Sequence, residues 1–302
     1  MARRRGGRFG RAVFWTLVAL LVFLVVPIIF FQLYFSFHQW TVYIGEWWQA
    51  EFVGLEIFRG VFADTRFYLS FLRSLVFAGG STALTLLLGF ALALLMSKDF
   101  PGRSLFYLAF ITPMLMVPVV IAYDFEMLLV QQGPLNQLLS WLTGHTIQVP
   151  WLAKSVPAFL SIMLIEVWNW TPFVFIILLA GFTSLPREPI EAARVLGASR
   201  WQIFWEIQLP LLRPVLVLAG ILRFLEALGE YAKVWTLTKG GPGTFTETLP
   251  VYLYITSWTH FNVSKGAAMS YIALLVIGAI VYVSMRVLLR QQRALKTLLR
   301  TS

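Results

Sequence analysis

The sequence predicts an all-α, polytopic membrane protein with six transmembrane helices, and three observations support this fold class. Hydrophobic residues make up 59% of the 302 residues and charged residues only 13%, whereas soluble domains carry about 25% charged residues. The mean hydropathy is +0.76. The charged residues also leave five long uncharged stretches, and about 20 apolar residues suffice to cross the hydrocarbon core of a bilayer as a helix.

The predicted spans are these five stretches and one further segment. The stretches are residues 12–37, 74–97, 104–123, 167–186 and 266–285. The further span, fifth in chain order, covers residues 211–234; apart from Arg213, which is counted with the preceding loop, it is uncharged as far as Leu222. Beyond that point it carries four charged residues, Arg223, Glu226, Glu230 and Lys233.

The first stretch is predicted to remain in the protein as a transmembrane helix. It follows an arginine-rich start, as the core of a secretory signal peptide would, but its 26 uncharged residues exceed the roughly 7–15 residues of such a core. No pair of small residues spaced for cleavage follows it, since the chain continues Phe35-Ser-Phe-His-Gln-Trp40. We therefore expect an uncleaved first span.

The distribution of lysine and arginine predicts that both termini are cytoplasmic. With six spans and the N-terminus inside, the cytoplasmic segments hold sixteen of the 24 basic residues and the outer segments hold six; cytoplasmic loops of membrane proteins carry such an excess. The sixteen are Arg3, Arg4, Arg5, Arg8, Arg11, Lys98, Arg103, Arg187, Arg194, Arg200, Arg213, Arg286, Arg290, Arg293, Lys296 and Arg300. The net charge of +10 is then a topology signal and a contact with membrane lipid headgroups, and it gives no support to nucleic-acid binding.

The composition excludes several kinds of site. The chain has no cysteine, which excludes disulfides, cysteine-ligated metal centres and a cysteine nucleophile. The histidines, His38, His145 and His260, are far apart and lack the HExxH spacing of a metalloprotease. The turn Gly240-Gly-Pro-Gly243 lacks the GxxxxGK(S/T) spacing that holds nucleotide phosphates. We therefore expect no catalytic site, metal or cofactor in this chain.

One cytoplasmic loop, residues 184–210, carries the most specific pattern in the sequence. Pro186 and Pro189 break the preceding helix and suit the first turn of a new one. Glu188 and Glu191 lie near the start of that helix, where the helix dipole favours negative charge. Gly197 suits the end of that helix. The loop is therefore predicted to form a short amphipathic helix, a turn and a second short helix on the cytoplasmic side.

A fixed spacing runs through this loop. Three residues separate Glu191-Ala192-Ala193 from Gly197, nine separate Gly197 from Ile207, and one separates Ile207 from Leu209-Pro210. This pattern resembles the EAA loop of the permease subunits of ATP-binding-cassette (ABC) importers. One position departs from the family, because the residue before the loop glycine is commonly acidic and is Leu196 here.

The surrounding sequence is similar to the carbohydrate branch of these permeases. The segments that carry the likeness are Val167-Trp-Asn-Trp-Thr-Pro-Phe173, Leu179-Ala-Gly181 and Ser184-Leu-Pro186. Lys239-Gly-Gly-Pro-Gly243, followed by Thr246-Glu-Thr-Leu249, resembles the first of the two permease subunits in such importers. The resemblance covers a core of residues 70–290.

The resemblance implies a type I, maltose-permease-like fold, with a single permease domain over residues 1–302 in the plasma or inner membrane. It implies as partners a second homologous permease subunit, two ABC ATPase subunits that bind ATP and Mg²⁺, an extracytoplasmic substrate-binding protein, and a sugar, oligosaccharide or polyol. Glu191, Ala192, Ala193 and Gly197 are then the residues that couple the ATPase to the membrane helices. On physical grounds alone, the same helix could instead lie on lipid headgroups.

The four charged residues of the fifth span are spaced three, four and three apart, so they share one face of a helix. Charged residues inside a membrane are rare, usually paired, and face a cavity or the interior of a helix bundle. Two interpretations fit. Either the four form ion pairs with one another, or Glu226 and Glu230 line the translocation path and bind sugar hydroxyls, with Tyr231 as a stacking surface.

A second polar and aromatic group lies in the fourth span, around residues 166–171. Trp168 and Thr171 share a helix face, and Asn169 offers an amide. Aromatic faces and amides are common partners of sugars, so Trp168, Asn169 and Thr171 are further candidates for the substrate path. Helix packing combined with an aromatic belt at the outer interface is the alternative explanation.

An ion-coupled secondary transporter that uses Glu226 and Glu230 is the alternative function. Many such transporters are built from inverted repeats, and no repeat is evident in the sequence. That function would also leave the spacing within residues 184–210 unexplained. The sequence therefore favours an ATP-driven importer.

Overall fold

The structure is a computed structural model that describes residues 6–42, 45–97 and 101–301, with side chains described between residues 10 and 286 of those segments. The basic residues Arg3, Arg4, Arg5 and Lys98, on which part of the predicted orientation rests, lie outside the described residues. The described part of the chain is predominantly α-helical. Its helices are α1 (Gly6–Phe37), α2 (Glu56–Phe62), α3 (Thr65–Met96), α4 (Arg103–Leu115), α5 (Pro118–Leu129), α6 (Pro134–Thr143), α7 (Ser155–Thr183), α8 (Arg187–Val195), α9 (Arg200–Gln202), α10 (Leu209–Leu228), α11 (Ala232–Thr238), α12 (Leu249–Tyr254) and α13 (Val263–Thr301).

A few short elements connect these helices. A 3₁₀ turn covers Trp47–Gln49, and π-helical segments cover Ile203–Gln208 and Ile255–Thr259. Two-residue strands, β1 (His38–Gln39) and β2 (Glu51–Phe52), pair antiparallel, with His38 opposite Phe52. The strands bring the end of α1 back toward the start of α2 and close the turn between them.

Four helices within the described residues are long and apolar enough to cross a membrane. They are Gly10–Phe37, Thr65–Met96, Ser155–Thr183 and Val263–Arg286. A bent pair, α4 and α5, adds a fifth if it counts as one span. Each of these elements overlaps one of the five uncharged stretches, so the stretches locate the apolar helices but not their ends. Helix α7, for example, begins twelve residues before its uncharged stretch.

The third predicted span, residues 104–123, is divided between two helices. The axes of α4 and α5 differ in direction by 98° across the break. Pro118 opens α5, and Val117 before it has an extended backbone with φ −68° and ψ 130°. Proline lacks the N–H group that would continue the first helix, and it disfavours helical backbone at the preceding residue. The uncharged stretch therefore does not form one straight helix.

The fifth predicted span, residues 211–234, is also interrupted. Helix α10 ends at Leu228 and α11 begins at Ala232, so three residues separate them. Helix α10 is preceded by the π-helical segment and by α9. The second short helix predicted in the cytoplasmic loop therefore continues into the predicted fifth span instead of ending as a separate element.

The described residues fall into two units. The first contains the chain up to Phe67 together with Leu253–Leu275. Within it, the Ser264 hydroxyl at the start of α13 donates to the carbonyl of His38 at 2.7 Å and accepts the N–H of Trp40 at 2.8 Å. Lys265 forms an ion pair with Asp64 at 2.7 Å. These contacts attach the start of α13 to the end of α1.

The second unit contains Tyr68–Tyr252 and the chain from Val276 onward. Its core is formed where α3, α7 and α10 meet, with Val174, Phe175 and Leu178 buried at the centre. Gly89 lets α3 approach α7 closely, because a Cβ atom at this position would lie 2.8 Å from Cγ1 of Val174. This packing holds α7 in the position from which its polar residues form the site described next.

Candidate functional site

Five charged side chains meet where α7 packs against the break between α10 and α11. We call them the charged cluster; its members are Glu166, Arg223, Glu226, Glu230 and Lys233. Glu166 belongs to α7, Arg223 and Glu226 to the last turns of α10, Glu230 to the break, and Lys233 to the first turn of α11. The cluster thus joins three helices.

Glu166 bridges the two cations of the charged cluster. Its Oε1 accepts from Nη2 of Arg223 at 2.5 Å, and its Oε2 accepts from Nζ of Lys233 at 2.5 Å. The side chains of all three residues are fully buried. Because each oxygen binds a different cation, one carboxylate ties α7 to both sides of the α10–α11 break.

The other two glutamates bind the same cations across i,i+3 spacings. Nη1 of Arg223 donates to Oε2 of Glu226, and Nζ of Lys233 donates to Oε2 of Glu230 at 2.8 Å. Glu230 also accepts the backbone N–H of Lys233 at 2.7 Å. That N–H belongs to the first turn of α11, where helices lack internal acceptors. The structure thus contains the pairing that the spacing indicates, and Glu230 in addition caps α11.

The members of the charged cluster differ in exposure. The side chain of Glu226 is 34% exposed, whereas that of Glu230 is 5% exposed and the other three are fully buried. The Arg223 guanidinium also lies 5.6 Å from the ring centroid of Trp170, within the range of a cation–π contact. Glu226 is therefore the member that a molecule outside the cluster can contact.

The three glutamates are also close enough to hold a metal ion, since their nearest ligand oxygens lie within 4.8 Å of one another. In this chain, however, all three carboxylates contact Arg223 or Lys233. A divalent ion would have to displace two buried cations from their carboxylates. The arrangement is better described as an internal ion-pair network.

The polar candidates of the fourth predicted span, Asn169 and Thr171, make hydrogen bonds outside the charged cluster. Nδ2 of the buried Asn169 donates to the carbonyl of Pro113 at 2.6 Å, in the last turn of α4. Thr171 is buried and donates to the carbonyl of Val167 within its own helix at 2.6 Å. Asn169 therefore attaches α7 to the bend between α4 and α5, and the hydroxyl of Thr171 bonds within α7.

The aromatic candidates are more exposed. Trp168 is 43% exposed, and its ring meets Phe125 of α5 edge-on at a centroid distance of 5.3 Å. Tyr231, in the break before α11, stacks on Trp235 with centroids 5.9 Å apart and planes 16° apart. Of the six substrate-path candidates, the structure joins Glu226 and Glu230 in the charged cluster and does not place Trp168, Asn169 and Thr171 in it.

The coupling residues predicted from the cytoplasmic loop lie on and just after α8. Glu191 and Ala192 are exposed, Ala193 is half-buried, and Gly197 follows the helix with φ +83°. The N–H of Gly197 donates to the carbonyl of Arg194 at 3.1 Å. Glycine adopts this left-handed conformation without steric cost, which explains why the helix ends here.

The turn after α8 is closed by a capping box. The Ser199 hydroxyl accepts the N–H of Gln202 at 3.3 Å, and the Gln202 side chain accepts the N–H of Ser199 at 2.8 Å. Val195 and Leu196, just before the turn, are 87% and 86% exposed. The loop therefore presents an ordered, partly apolar surface beside Glu191.

Comparison with known proteins identifies the class of molecule that carries these features. The family described as binding-protein-dependent transport system inner membrane component matches residues 85–294. That range contains the charged cluster and the whole of residues 184–210. This chain belongs to that family.

Two curated relatives extend the match over almost the whole chain. The probable ABC transporter permease protein y4oQ of Sinorhizobium fredii is 33% identical and aligns over 92% of this chain and 90% of its own length. The trehalose/maltose transport system permease protein MalF of Thermococcus litoralis is 30% identical, with 90% of each chain covered. This binding-protein-dependent transport component is therefore the permease subunit of an ABC importer, and it belongs to a family of transporter subunits and not of catalytic enzymes.

A solved structure shares the fold. It is the crystal structure of a bacterial ABC transporter involved in the import of the acidic polysaccharide alginate, with a TM-score of 0.79 and 21% identity over 95% of this chain and 96% of that chain. At that identity the likeness concerns the fold alone. This chain, with its bent α4–α5 pair and divided α10–α11 segment, thus shares its fold with a chain of that ABC transporter.

Glu166 is the member of the charged cluster that the sequence-based candidates omit. One signal could have drawn attention to it, because Glu166 is the only charged residue between Lys154 and Arg187. A lone carboxylate in an apolar membrane helix requires a partner. Its partners are 57 and 67 residues away in the chain, so no local spacing identifies them.

Proposed function

We propose that this permease imports a sugar, oligosaccharide or polyol that an extracytoplasmic binding protein delivers. The name of the relative from Thermococcus litoralis, which includes trehalose and maltose, supports this substrate class. The partly exposed carboxylate of Glu226 supports it as well, because it can accept hydrogen bonds from sugar hydroxyls. Exposed aromatic rings such as that of Trp168 can cover the apolar faces of a sugar.

We further propose one permease domain, with its core at residues 70–290 and six membrane crossings, in which both termini are cytoplasmic. The excess of basic residues in the segments assigned to the cytoplasm supports this orientation. Four apolar helices and one bent pair supply up to five crossings. The sixth is α10 with α11, in which Arg223 pairs with Glu226 and Lys233 with Glu230. This pairing lowers the cost of a membrane position.

The partners in this proposal are a second homologous permease, two ABC ATPase subunits and the binding protein. ATP and Mg²⁺ are bound by the ATPase subunits, and this chain holds no cofactor of its own. The family description, which names a binding-protein-dependent system, supports the delivery step. The contact with one ATPase subunit is formed by Glu191, Ala192, Ala193 and Gly197. The exposure of α8 and the ordered turn that follows it support this contact.

Transport then follows from the connections between these elements. Closure of the ATPase dimer on ATP displaces α8. The displacement reaches α10 because α9, the π-helical segment and α10 follow one another without a loop. Movement of α10 opens the access to Glu226 toward the outer side, where the binding protein delivers the sugar, and ATP hydrolysis resets the arrangement.

The family match over residues 85–294 is the observation that carries this proposal. The test is reconstitution of the chain with its second permease, ATPase subunits and binding protein in proteoliposomes. ATP-dependent uptake is measured for a panel of radiolabelled sugars that includes maltose, trehalose, a pentose and a polyol, and the control omits the binding protein. We expect uptake of at least one member only when ATP and the binding protein are both present. Uptake by this chain alone without ATP would contradict the proposal.

A further inference from the structure

The three carboxylates of the charged cluster are engaged to different extents. Glu166 uses both oxygens on two cations. Glu230 uses both oxygens on Lys233, one on its ammonium group and one on its backbone N–H. Glu226 contacts Arg223 through Oε2, and its side chain is 34% exposed. The carboxylate with the greatest freedom to meet another molecule is therefore held by a single arginine.

That arginine is itself held from the other side. Arg223 is fully buried, and its Nη2 donates to Glu166 while its Nη1 donates to Glu226. The planar guanidinium group keeps these two donors in a fixed relation. Trp170, on the same helix as Glu166, covers the guanidinium group. The position of the Glu226 carboxylate therefore depends on α7 through Arg223.

We propose that Glu166 is a positioning residue for transport. It fixes Arg223, and Arg223 fixes the Glu226 carboxylate at the accessible edge of the charged cluster, where that carboxylate receives the hydroxyl groups of the passing sugar. The proposal rests on the proposed function, because it takes a sugar as the molecule that Glu226 meets. Glu166 itself, being fully buried, does not contact the substrate.

The substitution Glu166→Gln separates this role from simple packing. Glutamine has nearly the same shape, but its side-chain amide offers one acceptor oxygen and places an NH₂ donor opposite a cation. One of the two cations therefore loses its contact with α7. Arg223 then has Glu226 as its main carboxylate partner and draws it inward, away from the accessible edge.

The experiment uses the complete transporter in proteoliposomes. The probe is radiolabelled maltose; if the wild type does not import maltose, the probe is a sugar of the panel that the wild type does import. Uptake and assembly are compared for Glu166→Gln, Glu226→Gln and the double variant. Glu56→Gln, on the exposed face of α2, is the control for loss of one carboxylate. A wild-type transporter that imports no sugar contradicts the proposed function, whereas the comparison of variants decides the role of Glu166.

We expect Glu166→Gln to assemble normally and to lower the uptake rate about tenfold. The double variant should transport no less than Glu226→Gln alone, because the effects of two substitutions are not additive when one residue acts through the other. Losses that multiply, or uptake by Glu166→Gln at the wild-type rate, would overturn the proposal. If Glu166→Gln does not assemble, Glu166→Gln/Lys233→Met removes one cation together with one carboxylate and serves in its place. Failure of that variant to assemble as well would show a purely structural role and would also overturn the proposal.

Discussion

The side-chain amide of Asn169 donates to the carbonyl oxygen of Pro113 at 2.6 Å and thereby attaches α7 to the last turn of α4, beside the bend before α5. Three residues earlier on α7, Glu166 binds both sides of the α10–α11 break. One turn of α7 thus holds two interrupted helices. The short polar segment from Glu166 to Trp170 is therefore central to the organisation of the second unit.

The bond between Asn169 and Pro113 predicts the effect of Asn169→Leu. Loss of a buried hydrogen bond should lower the free energy of unfolding by about 1–3 kcal/mol. The measurement is thermal unfolding of the purified transporter. Gln137→Leu is the matched control, because it removes an exposed amide that donates to the carbonyl of Gln132 at 2.9 Å; its effect should be within about 0.5 kcal/mol. Equal shifts in the two variants would contradict the importance of the α7–α4 bond.

Lys233→Met should be the more damaging of two lysine substitutions. It leaves the buried carboxylates of Glu166 and Glu230 without a shared cation, and breaking a buried ion pair from one side costs about 3–5 kcal/mol. Lys265→Met removes a lysine whose side chain is 31% exposed in its pair with Asp64, for which we expect at most about 1 kcal/mol. The unfolding midpoints of the two assembled transporters provide the test, and a larger loss for Lys265→Met would be inconsistent with the charged cluster as described.

Glu191→Lys tests the coupling surface. Glu191 is exposed on α8, so the variant should assemble as the wild type does, while ATP-driven uptake should fall at least about tenfold because the charge at an interface is reversed. Glu56→Lys makes the same change on the short exposed helix α2 and should leave uptake unchanged. Wild-type uptake by Glu191→Lys would argue against a role of this residue in coupling.

Gly197→Ala tests the turn that follows α8. Its φ of +83° is strained for any residue with a Cβ atom, at a cost of about 1–2 kcal/mol. Gly144 is a matched control, since it has φ +71° and equally open surroundings at the end of α6. We expect similar strain in both variants but a severalfold loss of uptake per ATP hydrolysed in Gly197→Ala alone. Equal coupling losses would indicate a general effect of loop strain.

Gly89→Ala tests the contact between α3 and α7. The added Cβ would lie 2.8 Å from Cγ1 of Val174 and 3.0 Å from the backbone nitrogen of Phe175, and such overpacking costs about 1–3 kcal/mol. Gly79→Ala, in the same helix but with no neighbouring atom within 4 Å, should be neutral or stabilising by up to about 1 kcal/mol. Unfolding midpoints compare the two, and a destabilised Gly79→Ala would point to a loss of helix flexibility as the common cause.

Sequence patterns were most informative where the chemistry is local. The uncharged stretches locate the apolar helices, and Gly197 marks the end of α8 because glycine is suited to its positive φ. They were less informative about helix continuity. An apolar composition is compatible with one straight helix or with two, and Pro118 permitted the break without specifying its angle of 98°.

The sequence by itself determined that this chain enters a membrane and which loop carries the EAA pattern, because composition and short spacings express both. Only the tertiary structure decided how the buried charges are shared. Glu166 meets Arg223 across 57 residues of sequence, a contact that depends on how α7 packs against α10 and not on any spacing within one helix. That packing also determines that Glu230, in the helix break, is enclosed while Glu226, in the last turn of α10, remains accessible.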